Sequence, residues 1–237
     1  MKKIFIETRF VLAFREAISV VKDVEQGQPG LMVVWGHPGR GKTECAREYA
    51  VRDMDSVYLR VMQDWTARGM LSALCCEINE MEPGTVERCK KILVGELEEH
   101  PRAILVDEAD RLSLGNIEHL RDIHDMTGAP IVFIGEPSIY AAINARKRIW
   151  SRVTKTVEFG KLAAQDAAIF GLKAANLKIE AEAAQKLITR CGGDFRLLWQ
   201  DMRDLERLAR ANNTQEVTIG LILKLKDRKQ TPRGSRS

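Results

Sequence analysis

"GHPGRGKT" occupies residues 36–43, directly after the apolar run "LMVVW" (31–35) and directly ahead of "ECAREYAVRD" (44–53). Five apolar residues in a row suit a short strand buried on both faces, as in parallel sheets. The residues from Thr43 to Asp53 read as a helix. The octet between them matches G-x-x-x-x-G-K-[ST] and stands in the strand–loop–helix context which that pattern requires. Glycines at 36, 39 and 41 let the backbone wrap so that successive N–H groups face phosphate oxygens. The helix start adds its positive dipole end. Gly36, His37, Pro38, Gly39, Arg40, Gly41, Lys42, Thr43 and Glu44 are therefore the expected nucleotide-binding set. Lys42 is expected on the β- and γ-phosphates, and the Thr43 hydroxyl on Mg²⁺. The competing reading, a chance glycine-rich turn, does not account for the flanking strand and helix.

The rest of the chain extends this unit. Helical spacing over 10–26 stops at Gly27, with Pro29-Gly30 as a break. "SVYLRV" (56–61), "AILVD" (103–107), "PIVFIG" (130–135) and "TVEF" (156–159) read as strands. Helices are expected over 65–81, 85–99, 113–127 and 138–146. Strands alternating with helices imply βαβ units and a mainly parallel, three-layered α/β sheet of five strands. After Gly160 the strands are expected to stop, with helices over 163–175, 181–191, 194–211 and 217–225 forming a small all-α domain. The expected divisions are an N-terminal helical segment 1–30, an α/β core 31–160, a helical lid 161–226 and a basic disordered tail 227–237.

The strand 103–107 ends in Asp107-Glu108, which supplies the second half of a phosphate site. Asp107 is expected to hold Mg²⁺ through water and Glu108 to polarise an attacking water. Two acids after a strand also occur as a plain solvated strand end; the loop at 36–43 favours the catalytic role. "FIGEPSIY" (133–140) places Glu136 at the tip of a further buried strand. Its carboxylate is a poor direct phosphate ligand, because it adds negative charge where charge must be offset. It is expected to orient water or to pair with an arginine. Arg146, Lys147, Arg148, Arg152 and Lys155 cluster before the last strand, and Arg196 opens a helix in "GGDFRLL" (192–198). Each is otherwise an ordinary exposed cation.

Composition sets the outer bounds. The 237 residues are 45% apolar and 30% charged, without an apolar run long enough to span a membrane. The start, "MKKIFIETRF", meets Glu7 and Arg9 too early for a signal-peptide core, so a cytosolic protein without membrane partners is expected. Five cysteines without C-x-x-C spacing read as reduced thiols, and four histidines without H-E-x-x-H spacing give no zinc site. From Lys224 onward six basic residues face only Asp227, more than the whole net charge of +4. That tail reads equally as a solvated end or a nucleic-acid arm.

The loop at 36–43, the Asp-Glu strand, a third strand with a polar tip, arginines before the fifth strand and a helical lid with G-x-x-R together resemble the AAA+ ATPases, a family of three-layer P-loop NTPases, over roughly residues 8–225. The resemblance implies ATP and Mg²⁺ as ligands and ATP hydrolysis as the activity. It implies that Arg196 touches the γ-phosphate from its own subunit. It also implies an arginine finger given to a neighbouring subunit, with Arg152 in "SRV" the best match and Arg148 the runner-up, and it puts Glu136 at the sensor position. "ETRF…FREAI" before the loop and "IGEPSIY" after the third strand are similar to the transposition ATPases of the Mu B, TniB and TnsC kind. That implies helical self-assembly on double-stranded DNA and delivery of the target to a transposase. Mu B carries a further N-terminal DNA-binding domain; this chain begins near the ATPase core, so DNA contacts are expected from the core or the tail. Arg68, Lys90 and Lys91 are the candidate phosphate contacts, each otherwise a solvated helix residue. An ExeA-like envelope ATPase and a nucleotide-gated scaffold with little hydrolysis are the alternatives.

Overall fold

The computed structural model describes residues 1–2, 4–23 and 28–226. The last residues of the expected first helix and the expected tail 227–237 lie outside them. The chain divides into two compact units, one of Glu7–Gly160 and one of Met1–Ile6 with the residues from Lys161 onward. Residues 1–30, expected as one segment, are thus shared between the units.

The larger unit opens with α1 (Arg9–Lys22), whose N-terminus is capped by the Thr8 hydroxyl accepting from the Val11 N–H. Val11, Phe14, Ile18 and Val21 form its buried stripe. β1 (Leu31–Trp35) and α2 (Lys42–Arg52) flank the loop at 36–43. β2 (Ser56–Arg60) leads to α3 (Ala67–Asn79) and α4 (Val86–Glu99), capped by Thr66 and Thr85. β3 (Ala103–Asp107) passes through a 3₁₀ turn, Ala109–Arg111, into α5 (Leu114–Thr127). β4 (Ile131–Gly135), α6 (Pro137–Asn144), α7 (Lys147–Trp150) and β5 (Val153–Glu158) complete it.

The strands form one parallel sheet in the order β2-β3-β4-β1-β5. β3 and β4 are buried along their whole length, and β1 up to Trp35. Leu31, Val33, Ile104, Val106, Ile131 and Phe133 share one core with Met70, Leu74, Leu93 and Leu120. β5 begins three residues ahead of the expected strand, because Val153-Thr154-Lys155 form a mostly exposed edge without apolar patterning.

The second unit contains α8 (Ala164–Ala175), α9 (Ala181–Cys191), α10 (Phe195–Ala211) and α11 (Ile219–Ile222), packed around Phe170, Leu187, Leu198, Met202 and Leu205. The expectation that strands stop after Gly160 is corrected here: β6 (Lys178–Ile179) and β7 (Glu216–Val217) pair in parallel. Two residues are too short to show the alternation that marks a strand. Sequence patterning therefore made this unit purely helical.

Candidate nucleotide-binding site

The register of the sheet gathers the site. Trp35 pairs with Gly135, Asp107 with Ile134, and Arg60 with Asp107. Gly36, Glu136 and Glu108, the residues that follow β1, β4 and β3, therefore emerge side by side from strands about 4.8 Å apart. In the sheet β4 lies directly beside β1.

Two glycines of the loop have separate reasons. Gly41, the N-cap of α2, has φ 92°, a left-handed conformation that side chains resist. At Gly36 space decides: a Cβ would lie 2.4 Å from the Phe159 carbonyl oxygen. The start of the loop is thus pressed against the end of β5, where the Phe159 N–H donates to the Trp35 carbonyl at 2.8 Å. The Lys42 ammonium reaches back over the loop to the carbonyls of Gly36 and His37, at 2.5 and 3.1 Å. This posture puts the cation over the hollow of the loop.

Asp107 is buried, and both its oxygens are held. Oδ1 accepts from the Glu108 N–H at 3.0 Å and Oδ2 from the Tyr58 hydroxyl at 2.7 Å. Burial, reinforced by Asp107, pushes the Tyr58 hydroxyl well above the ordinary tyrosine range, so it stays a donor. One fixed carboxylate, with the Thr43 hydroxyl in the first turn of α2, suits Mg²⁺, which binds few protein oxygens and keeps several waters. The residues present fit that ion.

Glu108 sits at φ 57°, left-handed for a residue with a side chain. It is clamped by two cations: Arg60 donates through Nε at 3.0 Å and also through Nη2, and Arg111 forms a second ion pair. Tyr58, Arg60 and Asp110 were missed by sequence reasoning. The signal for the first two was the alternation in "SVYLR", which turns Val57 and Leu59 into the core and Tyr58 and Arg60 together to the other face. Asp110 carried no local signal. Its Oδ1 accepts the Glu136 N–H at 2.9 Å, and a Cβ at Gly135 would lie 2.3 Å from it. The Glu136 side chain is exposed and makes no hydrogen bond or ion pair among the described residues. Pro137 follows it as the first residue of α6.

The remaining candidates lie elsewhere. Arg152 precedes β5, and its carbonyl accepts from the Leu31 N–H at 2.9 Å, at the start of β1. Arg152 and Arg148 are therefore separated from their own loop by the length of β1, about 13 Å of strand. Arg152 forms a bidentate pair with Asp125 at 3.1 and 3.2 Å. Arg68 and Lys91 are exposed, whereas the Lys90 ammonium pairs with Asp122 across α4 and α5 at 2.9 Å. Arg196 is exposed on the first turn of α10, and its N–H donates to the capping carboxylate of Asp194 at 2.7 Å.

Comparison with known proteins agrees with this architecture. The family model described as "AAA domain" matches residues 25–143. The chain is 26% identical over 212 residues to the Mu-like prophage FluMu DNA transposition protein B of Haemophilus influenzae, covering 83% of this chain and 72% of that protein. It is 31% identical over 161 residues to the ATP-dependent target DNA activator B of Escherichia phage Mu, covering 65% of this chain. It spans only about half (49%) of that phage protein. Among solved structures, Cdc6p from Pyrobaculum aerophilum superposes with a TM-score of 0.65 at 13% identity, covering 87% of this chain and 62% of that one. The RuvB Holliday junction branch migration motor of Thermotoga maritima gives 0.58 at 16% identity, covering 91% and 66%. These two share the fold. The chain belongs to the AAA domain family, as a Mu B-like AAA+ ATPase.

Proposed function

We propose that the chain is an ATP hydrolase of DNA transposition that assembles with copies of itself on double-stranded DNA, as a helical filament or ring, and presents that DNA to a transposase. The observation that carries this reading is the convergence of the 36–43 loop, the Asp107-Glu108 pair and Glu136 at one edge of the sheet. In this reading Lys42 and the loop N–H groups bind the phosphates, and Thr43 and Asp107 hold Mg²⁺, which supplies charge neutralisation at the γ-phosphate. Glu108 orients the attacking water, and a cation of the 148–152 stretch comes from a neighbouring copy. Glu136 orients water or pairs with that cation.

Duplex DNA is gripped through its phosphates, with Arg68 and Lys91 as exposed contacts on the core and Lys90 only if it leaves Asp122. Such binding weakens steeply with salt and reads little sequence. No described helix is long and apolar enough to cross a membrane, in keeping with a cytoplasmic protein. A second reading, a nucleotide-gated scaffold that hydrolyses little ATP, gains support from the double clamp of Arg60 and Arg111 on Glu108.

The test is an ATPase assay with and without duplex DNA, beside sedimentation with a non-hydrolysable ATP analogue. DNA-stimulated turnover, and assemblies that need both ligands, are expected. Assembly without turnover under any condition favours the scaffold. Monomers that ignore nucleotide and DNA overturn both readings.

A further inference from the structure

Tyr58 and Asp107 meet diagonally across two paired strands. In the β2–β3 register Tyr58 stands opposite Leu105, and Asp107 lies two residues further along β3, about 7 Å on. A serine or threonine at position 58 is too short to cross that step, and a phenylalanine has nothing to donate. The phenol spans it, and its hydroxyl meets Asp107 Oδ2 at 2.7 Å. An ionised carboxylate only accepts, so the hydroxyl is the donor.

Two hydrogen bonds hold the Asp107 side chain, and they differ in kind. The bond at Oδ1 comes from the N–H of Glu108, the next residue in the chain. It demands only the backbone turn that follows β3. The bond at Oδ2 comes from another strand, and among the described residues Tyr58 is the only side chain that donates to this carboxylate. The terminal torsion of an aspartate is broad, so one bond leaves the plane of the group loosely set. A second bond, at the other oxygen, fixes it. Of the roughly four acceptor positions of a carboxylate, about two remain for a metal ion or its waters.

The main chain repeats the tie. The Asp107 carbonyl accepts from the Val61 N–H at 2.9 Å, just past the end of β2. β2 and the residue after it therefore hold Asp107 by backbone and by side chain together. Val57 and Leu59 turn into the core shared with Met70 and Leu93, which leaves Tyr58 on the opposite face of the strand. α2 packs against both β2 and β3. That helix opens with Lys42 and Thr43. Its Arg47 lies close enough for its charge to act on the Tyr58 hydroxyl, and Thr43 stands four residues earlier on the same helix face.

From this arrangement we infer that Tyr58 is the positioning residue for the metal ion of the site. By fixing the plane of the Asp107 carboxylate, it sets how tightly Mg²⁺ is held beside the nucleotide. The inference rests on the proposed role of Asp107 toward Mg²⁺ and adds a residue to it. Tyr58 touches neither nucleotide nor metal and acts through Asp107 alone.

The experiment titrates Mg²⁺ against binding of a fluorescent ATP analogue in wild type, Tyr58→Phe and Asp107→Asn, with a parallel measurement in excess EDTA. A fourth protein carries 4-aminophenylalanine at position 58, which keeps the ring and a donor at its tip. Thermal melting checks that each is folded. In Tyr58→Phe the Mg²⁺ concentration at the midpoint is expected to rise about 10–100-fold, as when a metal-binding group loses the partner that orients it. Affinity in EDTA is expected to match wild type, and 4-aminophenylalanine to bring the midpoint back. An unmoved midpoint in Tyr58→Phe, with or without a lower melting temperature, overturns the inference and leaves Tyr58 a structural tie between β2 and β3. A midpoint that 4-aminophenylalanine does not bring back, or an equal loss of affinity in EDTA, also overturns it. Wild-type binding that ignores Mg²⁺, or a wild-type midpoint in Asp107→Asn, overturns the proposed Mg²⁺ role of Asp107 itself.

Discussion

The two edges of the sheet hold their charged residues by different means. At the edge where the strands end, the backbone does most of the placing. The 36–43 loop wraps by conformation, Asp107 takes its orientation partly from the Glu108 N–H, and Asp110 takes the Glu136 N–H. At the edge where they begin, side chains hold side chains: Asp125 fixes Arg152, and His124 fixes the helix that carries Asp125. Backbone placement leaves the chemical groups poised and, apart from the Asp110–Glu136 bond, is written in contiguous residues. Side-chain placement can be traded when another ligand competes for the same N–H groups.

Substitutions separate the two modes. The largest effect is expected from Glu108→Gln, which keeps the shape and the loop while removing the group that orients water. Turnover should fall about 1000-fold, within the range for loss of a general base, while ATP still binds. Loss of ATP binding in that variant would show that Glu108 belongs to the binding set instead. Lys42→Ala should act on binding. A charged contact of up to about 3 kcal/mol corresponds to about 100-fold in affinity, read by titration with a fluorescent ATP analogue.

How much of this was legible follows from the same distinction. The place of the loop between β1 and α2, and of Asp107 and Glu108 at the end of β3, could be read because each depends on a contiguous pattern. Tyr58 and Arg60 were half legible: the alternation in "SVYLR" shows that they share a face, but not that β3 lies opposite. The Asp110–Glu136 and Asp125–Arg152 contacts join residues 26 and 27 positions apart. Both were hidden, since only the folded sheet brings them together. The β6–β7 pair was invisible for its shortness, and the start of β5 because an exposed edge needs no apolar code.

The next effect in size tests the crowded tip of β4. Gly135→Ala places a methyl group 2.3 Å from the Asp110 carboxylate and 3.1 Å from its N–H nitrogen. Overpacking of this kind costs about 1–3 kcal/mol, and thermal melting should show it. An unchanged melting temperature would mean that the 3₁₀ turn moves freely, and that Asp110 does not brace the strand tip. Smaller still is Arg60→Ala, which removes one of the two partners of Glu108. Turnover is expected to rise a few-fold as Glu108 is freed to face water, with stability unchanged because Arg60 lies at the surface. A fall in turnover would make Arg60 a working member of the site.

The smallest effect extends side-chain placement to the joint between α1 and α2, where the Lys22 ammonium meets Asp53 Oδ2 at 2.7 Å. Burial raises the Asp53 carboxyl, but hydrogen bonds from Lys22 and Tyr49 outweigh it and hold the group below the usual carboxylate range. The native state therefore takes up this proton less readily than the unfolded chain. The stabilisation is fully present above the ordinary aspartate value of about 3.9, and is lost as pH falls from there through the lower folded value. Lys22→Met keeps most of the stem and removes the charge. It should cost about 0.5 kcal/mol at pH 7, and progressively less as Asp53 becomes protonated in both states. Urea unfolding at pH 7 and again below pH 3 reads the difference. An equal cost at both would place the contribution in the packing of the lysine stem, so that this joint is held by apolar contact and its ion pair is incidental.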